Sequence, residues 1–135
     1  MNYIYKRYNN EYSEQELEEL ICSTIEQLMY DSENNDRVAI YVPYDWKEMK
    51  EILERRNMFI NILSTSEVRV SHKIVTFSGG IIFVFTNGDF LEKELNRRNH
   101  LSVLKGYQFS QAYIFDGQKL NANVISDIRN RIMTL

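Results

Sequence analysis

Val38-Ala39-Ile40-Tyr41-Val42-Pro43 is a run of five residues without a charged side chain, closed by the only proline in the chain. A strand with one face in water alternates apolar and polar residues. A run without alternation reads as a strand buried on both faces, the habit of parallel sheets covered by helices on each side. Proline ends the run because it has no N–H for the ladder.

The flanks agree with that reading. Upstream, Ser13-Glu14-Gln15-Glu16 is a capping box, followed by Leu17, Leu20, Ile21, Thr24, Ile25 and Leu28 at helical spacing. The pattern predicts an amphipathic helix over about 14–30, with Glu14, Glu16, Glu18 and Glu19 in its first turns, where the helix dipole favours acids. Before it, Tyr3 to Tyr8 alternates as a short edge strand. Downstream, Asp45 caps a second helix with Glu48 three residues on, Tyr44 is placed to staple Met49, and Met49, Ile52 and Leu53 form an inner stripe to about Arg56.

Met58 to Leu63 reads as the next strand. Val68 to Phe77 and Ile81 to Thr86 flank Ser78-Gly79-Gly80 as an antiparallel hairpin. Asn87-Gly88 turns the chain into a short helix from Asp89 that closes at Arg97-Arg98. Gln111 to Phe115 is a further strand leading to Asp116, and Asn121 opens a last helix with Val124, Ile125, Ile128 and Ile132 inward. The order β-α-β-α-β-(β-hairpin)-α-β-α predicts one α/β domain over residues 1–135. Its expected form is three-layered, with a mostly parallel sheet, an antiparallel hairpin and helices on both faces.

Composition narrows the function classes. The chain has 135 residues, 44% hydrophobic and 26% charged, with a net charge of −3. That balance gives no overall electrostatic case for nucleic acid. Cys22 is the one cysteine, so neither an intrachain disulfide nor a cysteine-based zinc site can form, which fits a cytoplasmic protein. No stretch reaches the roughly 18 apolar residues of a membrane span, and the opening residues lack the apolar core of a signal peptide. Nine tyrosines and seven phenylalanines favour strands, large-residue cores and interfaces.

Asp116 is the candidate metal residue. An aspartate at the carboxyl end of a buried strand is where phosphate-handling α/β enzymes hold a cation, although Asp116-Gly117 is also an ordinary turn signal. A nucleotide loop needs glycines whose N–H groups wrap phosphate, and a lysine. The place for it, Tyr8-Asn9-Asn10-Glu11-Tyr12-Ser13, has neither. His72 and His100 lack spaced partners, and Cys22 lies beside the apolar stripe of its helix. Arg97, Arg98, His100, Lys105 and Tyr107 form the candidate nucleic-acid loop, with Tyr107 and Phe109 placed to stack bases. This loop is expected near the functional edge of the sheet.

From Ser13 to Leu135 the layout resembles part of the P-loop ATPases of the phage large-terminase and helicase kind. Arg37 to Pro43 is similar to the strand after that family's phosphate-loop helix. Val75 to Phe83 is similar to its glycine-turned hairpin, Leu104-Lys105-Gly106-Tyr107 to its Leu-Arg-Gly segment, and Ala112 to Asp116 to its Walker B strand. Against the pattern, the phosphate loop is absent and Gly117 stands where the catalytic glutamate belongs. The resemblance implies a degenerate, non-catalytic domain of phage or mobile-element origin. Such a domain needs no cofactor and acts on nucleic-acid machinery as a protein-interaction, accessory or inhibitory factor. Two other classes stay open: a nucleotide- or metal-dependent enzyme centred on Asp116, and direct nucleic-acid binding through the Arg97 to Tyr107 loop.

Overall fold

The computed structural model describes residues 3–30, 37–58, 68–70, 74–77, 81–98, 104, 107–116 and 119–132. In chain order they form β1 (Ile4–Tyr8), α1 (Glu14–Tyr30), β2 (Val38–Val42), α2 (Trp46–Arg55), β3 (Val68–Val70), β4 (Ile74–Phe77), β5 (Ile81–Phe85), α3 (Phe90–Arg98), β6 (Gln111–Phe115) and α4 (Ala122–Ile132). One six-stranded sheet has the order β1-β6-β2-β5-β4-β3. Its first four strands are parallel. β4 runs antiparallel to both β5 and β3.

The strand order dictates the layers. β1 to β2 and β2 to β5 step one way along the sheet, whereas β5 to β6 steps back. Right-handed crossovers therefore put α1 and α2 on one face and α3 on the other. The packing agrees. Ile21, Ile25 and Leu28 of α1, with Met49 and Leu53 of α2, pack on Val38, Ile40, Val42, Phe83 and Phe115. Leu91 and Leu95 of α3, with Val124, Ile128 and Ile132 of α4, pack on Ala39, Tyr41, Val84, Ala112 and Ile114. β2 is buried at all five positions because it supplies alternate residues to both cores.

The capping boxes form as the sequence predicts. Ser13 Oγ accepts from Glu16 N–H at 3.2 Å and Glu16 Oε1 accepts from Ser13 N–H at 3.1 Å. Asp45 and Glu48 make the same reciprocal pair at 2.8 and 3.3 Å. The exchange with the Ser13 groups pulls the Glu16 carboxyl below its ordinary value.

Two expectations change. Met58 does not begin a strand; it closes α2. Asn57 adopts φ 56°, its N–H donates to Glu54 O, and Met58 N–H donates to Leu53 O at 2.9 Å. This is a left-handed helix cap in which Met58 returns to pack in the same core as Leu53. The rest of the expected Met58–Leu63 strand lies outside the described residues. The arm from Val68 to Phe77 is likewise not one strand, because β3 and β4 pair with each other, Val68 opposite Phe77 and Val70 opposite Val75. Ten extended residues would reach roughly 33 Å, about twice the span of the five-residue β5 beside them, so the surplus pairs with itself. The expected turn at 78–80 lies outside the described residues, as does His72.

Tyr41 carries a polar group into the second core. It is fully buried, and among the described residues its hydroxyl has no hydrogen-bond partner. A stranded buried hydroxyl costs about 1–3 kcal/mol. Tyr41→Phe is therefore expected to raise stability by about 1 kcal/mol in urea unfolding. Burial raises the Tyr41 phenol above its ordinary value and pushes Tyr44 up to about 12. Groups whose folded-state pKa is raised lend stability that is complete below the unfolded value, about 10 for tyrosine, and is lost as pH climbs through the folded value. The wild type should weaken above about pH 10, and Tyr41→Phe should weaken less. A destabilised Tyr41→Phe would mean that the hydroxyl is satisfied.

Candidate functional site

Because β1, β6, β2 and β5 are parallel, their carboxyl ends share one edge of the sheet. Adjacent strands there send their following helices to opposite faces, which opens crevices at that edge. A cleft of about 320 Å³ lies at this position. Pro43, Leu91, Leu120 and Val124 supply its apolar wall, and Asp116 lines it as well. Asn87, Glu92, Lys119 and Asn121 supply polar groups around it. The start of α3 and the start of α4 border the same space. Gly88 lines it with φ 79°, the left-handed conformation that suits glycine at this turn.

Asp116 is buried, its side chain 1% exposed, and it meets a guanidinium. Arg7 Nε donates to Oδ1 at 3.2 Å and to Oδ2 at 3.1 Å, and Arg7 Nη2 donates to Oδ2 at 2.6 Å. Leu120 N–H reaches Oδ2 at 3.4 Å, and the Asp116 carbonyl accepts from Lys119 N–H at 3.0 Å. The hydrogen bond to Asp116 raises the Arg7 guanidinium further above its ordinary value. Arg7 arrives because β1 lies directly beside β6, Arg7 opposite Ile114 and Tyr8 opposite Phe115. The Tyr8 and Phe115 rings stack at 4.7 Å with an interplanar angle of 4°, closing the other face of the same strand pair. Asp116 thus serves both a turn and an ion pair. The Asp116 carboxylate is held by a cation of the protein. Among the described residues no group of three His, Cys, Asp or Glu side chains comes together.

The described residues of the basic segment lie elsewhere. α3 begins at the carboxyl edge and ends at the amino edge, so Arg97 and Arg98, exposed in its last turn, are at the far end of the sheet from Asp116. β6 separates the segment before it from Asp116 by about 17 Å. The expectation that this loop neighbours the carboxyl edge is corrected by the direction of β6: residues before a parallel strand lie at its amino end. Phe109 is 2% exposed in the second core and cannot stack on a base. Tyr107 is half-buried against that core, its ring 6.2 Å from Phe109. Its carbonyl accepts from Arg131 Nη1 at 3.1 Å. His100 and Lys105 lie outside the described residues.

Sequence reasoning missed Arg7, which is 109 residues from its partner. The available signal was its alternation: Tyr5 and Arg7 share the β1 face that α4 covers. Asn87 and Asn121 read only as turn and cap residues, yet both line the cleft.

The chain matches no protein-family model, no curated protein and no solved structure.

Proposed function

We propose that this domain acts by binding a protein, as an accessory or inhibitory factor, and not by nucleotide chemistry. The observation that carries the reading is the bidentate Arg7–Asp116 pair. In a phosphate-handling enzyme the carboxylate at this strand end must be available to a cation, whereas here a guanidinium holds both of its oxygens. The P-loop descent rests on the sequence resemblance. A phage or mobile-element origin rests on that resemblance.

The chemistry of the partner follows from charge. α1 carries Glu14, Glu16, Glu18, Glu19 and Glu26 and no basic residue. Among the described residues only Glu18 of these is paired in an ion bridge, with Arg55 of α2. On the opposite face α3 and α4 carry Arg97, Arg98, Arg129 and Arg131. An acidic helix repels nucleic acid and steers a basic protein surface, such as nucleic-acid-binding proteins present.

Two measurements test this. Phosphate release from ATP or GTP with Mg²⁺ is expected to equal a buffer blank; release abolished by Asp116→Ala would refute the non-catalytic reading. A photo-crosslinking residue at Gln27, on the exposed side of α1, is expected to capture a protein in the native cell, with capture lost in Glu19→Lys, Glu26→Lys. Nucleic-acid adducts from a crosslinker at Arg97 would instead make direct nucleic-acid binding the function.

A further inference from the structure

We propose that the carboxyl-edge cleft is a binding site for a small zwitterion of the amino-acid type. This goes beyond the protein-binding reading and uses a different surface from α1.

The cleft pairs an apolar wall with uncommitted polar groups of both signs. Asn87, Glu92 and Lys119 make no side-chain hydrogen bond or ion pair among the described residues. Asn121 spends its Oδ1 on Val124 N–H at 3.0 Å and keeps its Nδ2 donors. Among the described residues the load on Asp116 is uneven: Oδ2 accepts three hydrogen bonds, whereas Oδ1 accepts one, at 3.2 Å. Each carboxylate oxygen offers about two acceptor positions, so Oδ1 has capacity left.

These groups select a ligand class. Arg7 already balances Asp116, which leaves Lys119 and Glu92 as one cation and one anion. A polyphosphate would meet no net positive charge. A divalent cation would need carboxylates free of a guanidinium. A wholly apolar molecule would strip water from polar groups and return nothing. An amino acid satisfies each part. Its carboxylate meets Lys119 and the Asn121 amide, and its ammonium meets Glu92 and Asp116 Oδ1. Its side chain lies on Pro43, Leu91, Leu120 and Val124. The volume of about 320 Å³ sits at the small end of ligand pockets.

The test titrates the ¹⁵N-labelled full chain with the common amino acids one at a time, at millimolar concentration, and follows amide shifts. Saturable shifts at Asn87, Gly88, Lys119 and Leu120 are expected for at least one of them. Glu92 and Lys119 are exposed, so Glu92→Gln and Lys119→Gln should leave the rest of the spectrum unchanged. Each should weaken that ligand about tenfold or more, the size of a lost charged hydrogen bond. The assignment is overturned by an absence of saturable shifts, by unchanged affinity in both variants, or by shifts at these residues from inorganic phosphate or Mg-ATP in place of amino acids. None of these outcomes bears on crosslinking from Gln27, so the two readings fail separately.

Discussion

Arg7→Ala is expected to cost about 3–5 kcal/mol of stability at neutral pH, the usual loss when one partner of a buried ion pair is deleted. The loss comes from what remains. Asp116 is 1% exposed and, among the described residues, would keep one weak backbone donor, Leu120 N–H at 3.4 Å. Asp116→Asn is expected to cost less, about 1–2 kcal/mol. It strands the guanidinium instead, and Arg7 is 24% exposed, so that group reaches water. The asparagine oxygen also still accepts a bond. Urea unfolding of both variants at neutral pH decides it. Equal costs would show that the pair is solvated and that Asp116 is free to act chemically.

That asymmetry also marks where sequence reading ends. α1, β2 and the capping box of α2 were legible because their signals are local: a 3.6-residue stripe, an unbroken apolar run, and Ser-x-x-Glu or Asp-x-x-Glu at the helix start. Met58 was misread because a buried apolar residue after a helix looks the same whether it starts a strand or closes a left-handed cap. Only the φ of Asn57 tells the two apart. Val68–Phe77 was misread because alternation sets which face a residue takes and says nothing about where a strand reverses. Asp116 was legible as a singular residue at a strand end, but its partner was not. The pairing of β1 with β6 joins residues more than a hundred positions apart, and no local pattern encodes it. The basic loop's expected position failed for a simpler reason: it was inferred without the direction of β6.

The sheet thus separates two kinds of polar residue. Among the described residues Asn87, Glu92 and Lys119 of the carboxyl-edge cleft make no side-chain bond, whereas a cation toward the amino edge is spent on the fold. Arg131 is the clearest case of the second kind. It shares the last turn of α4 with Arg129. The structure separates them. Arg129 is exposed with its guanidinium 5.0 Å from the Tyr5 ring centroid, a contact worth about 0.5–1 kcal/mol. The Arg131 side chain is 11% exposed and pairs with Asp127 at 2.8 Å. Its Nη1 donates to the carbonyls of both Leu104 and Tyr107, tying the segment before β6 to α4. Arg131→Met keeps the length of the stem and removes every one of these bonds. Leu104 O keeps the Tyr107 N–H as a donor, so the burden falls on Tyr107 O and on Asp127. The expected cost is about 2–4 kcal/mol, against about 1 kcal/mol or less for Arg129→Ala. The loss should also be local. Amide exchange at Tyr107 and Phe109 should accelerate more than at Ile40 or Ile114, because the segment is released before the sheet opens. If Arg131→Met costs no more than Arg129→Ala, Arg131 is a solvated surface cation, and the basic end of this domain returns as a candidate surface for nucleic acid.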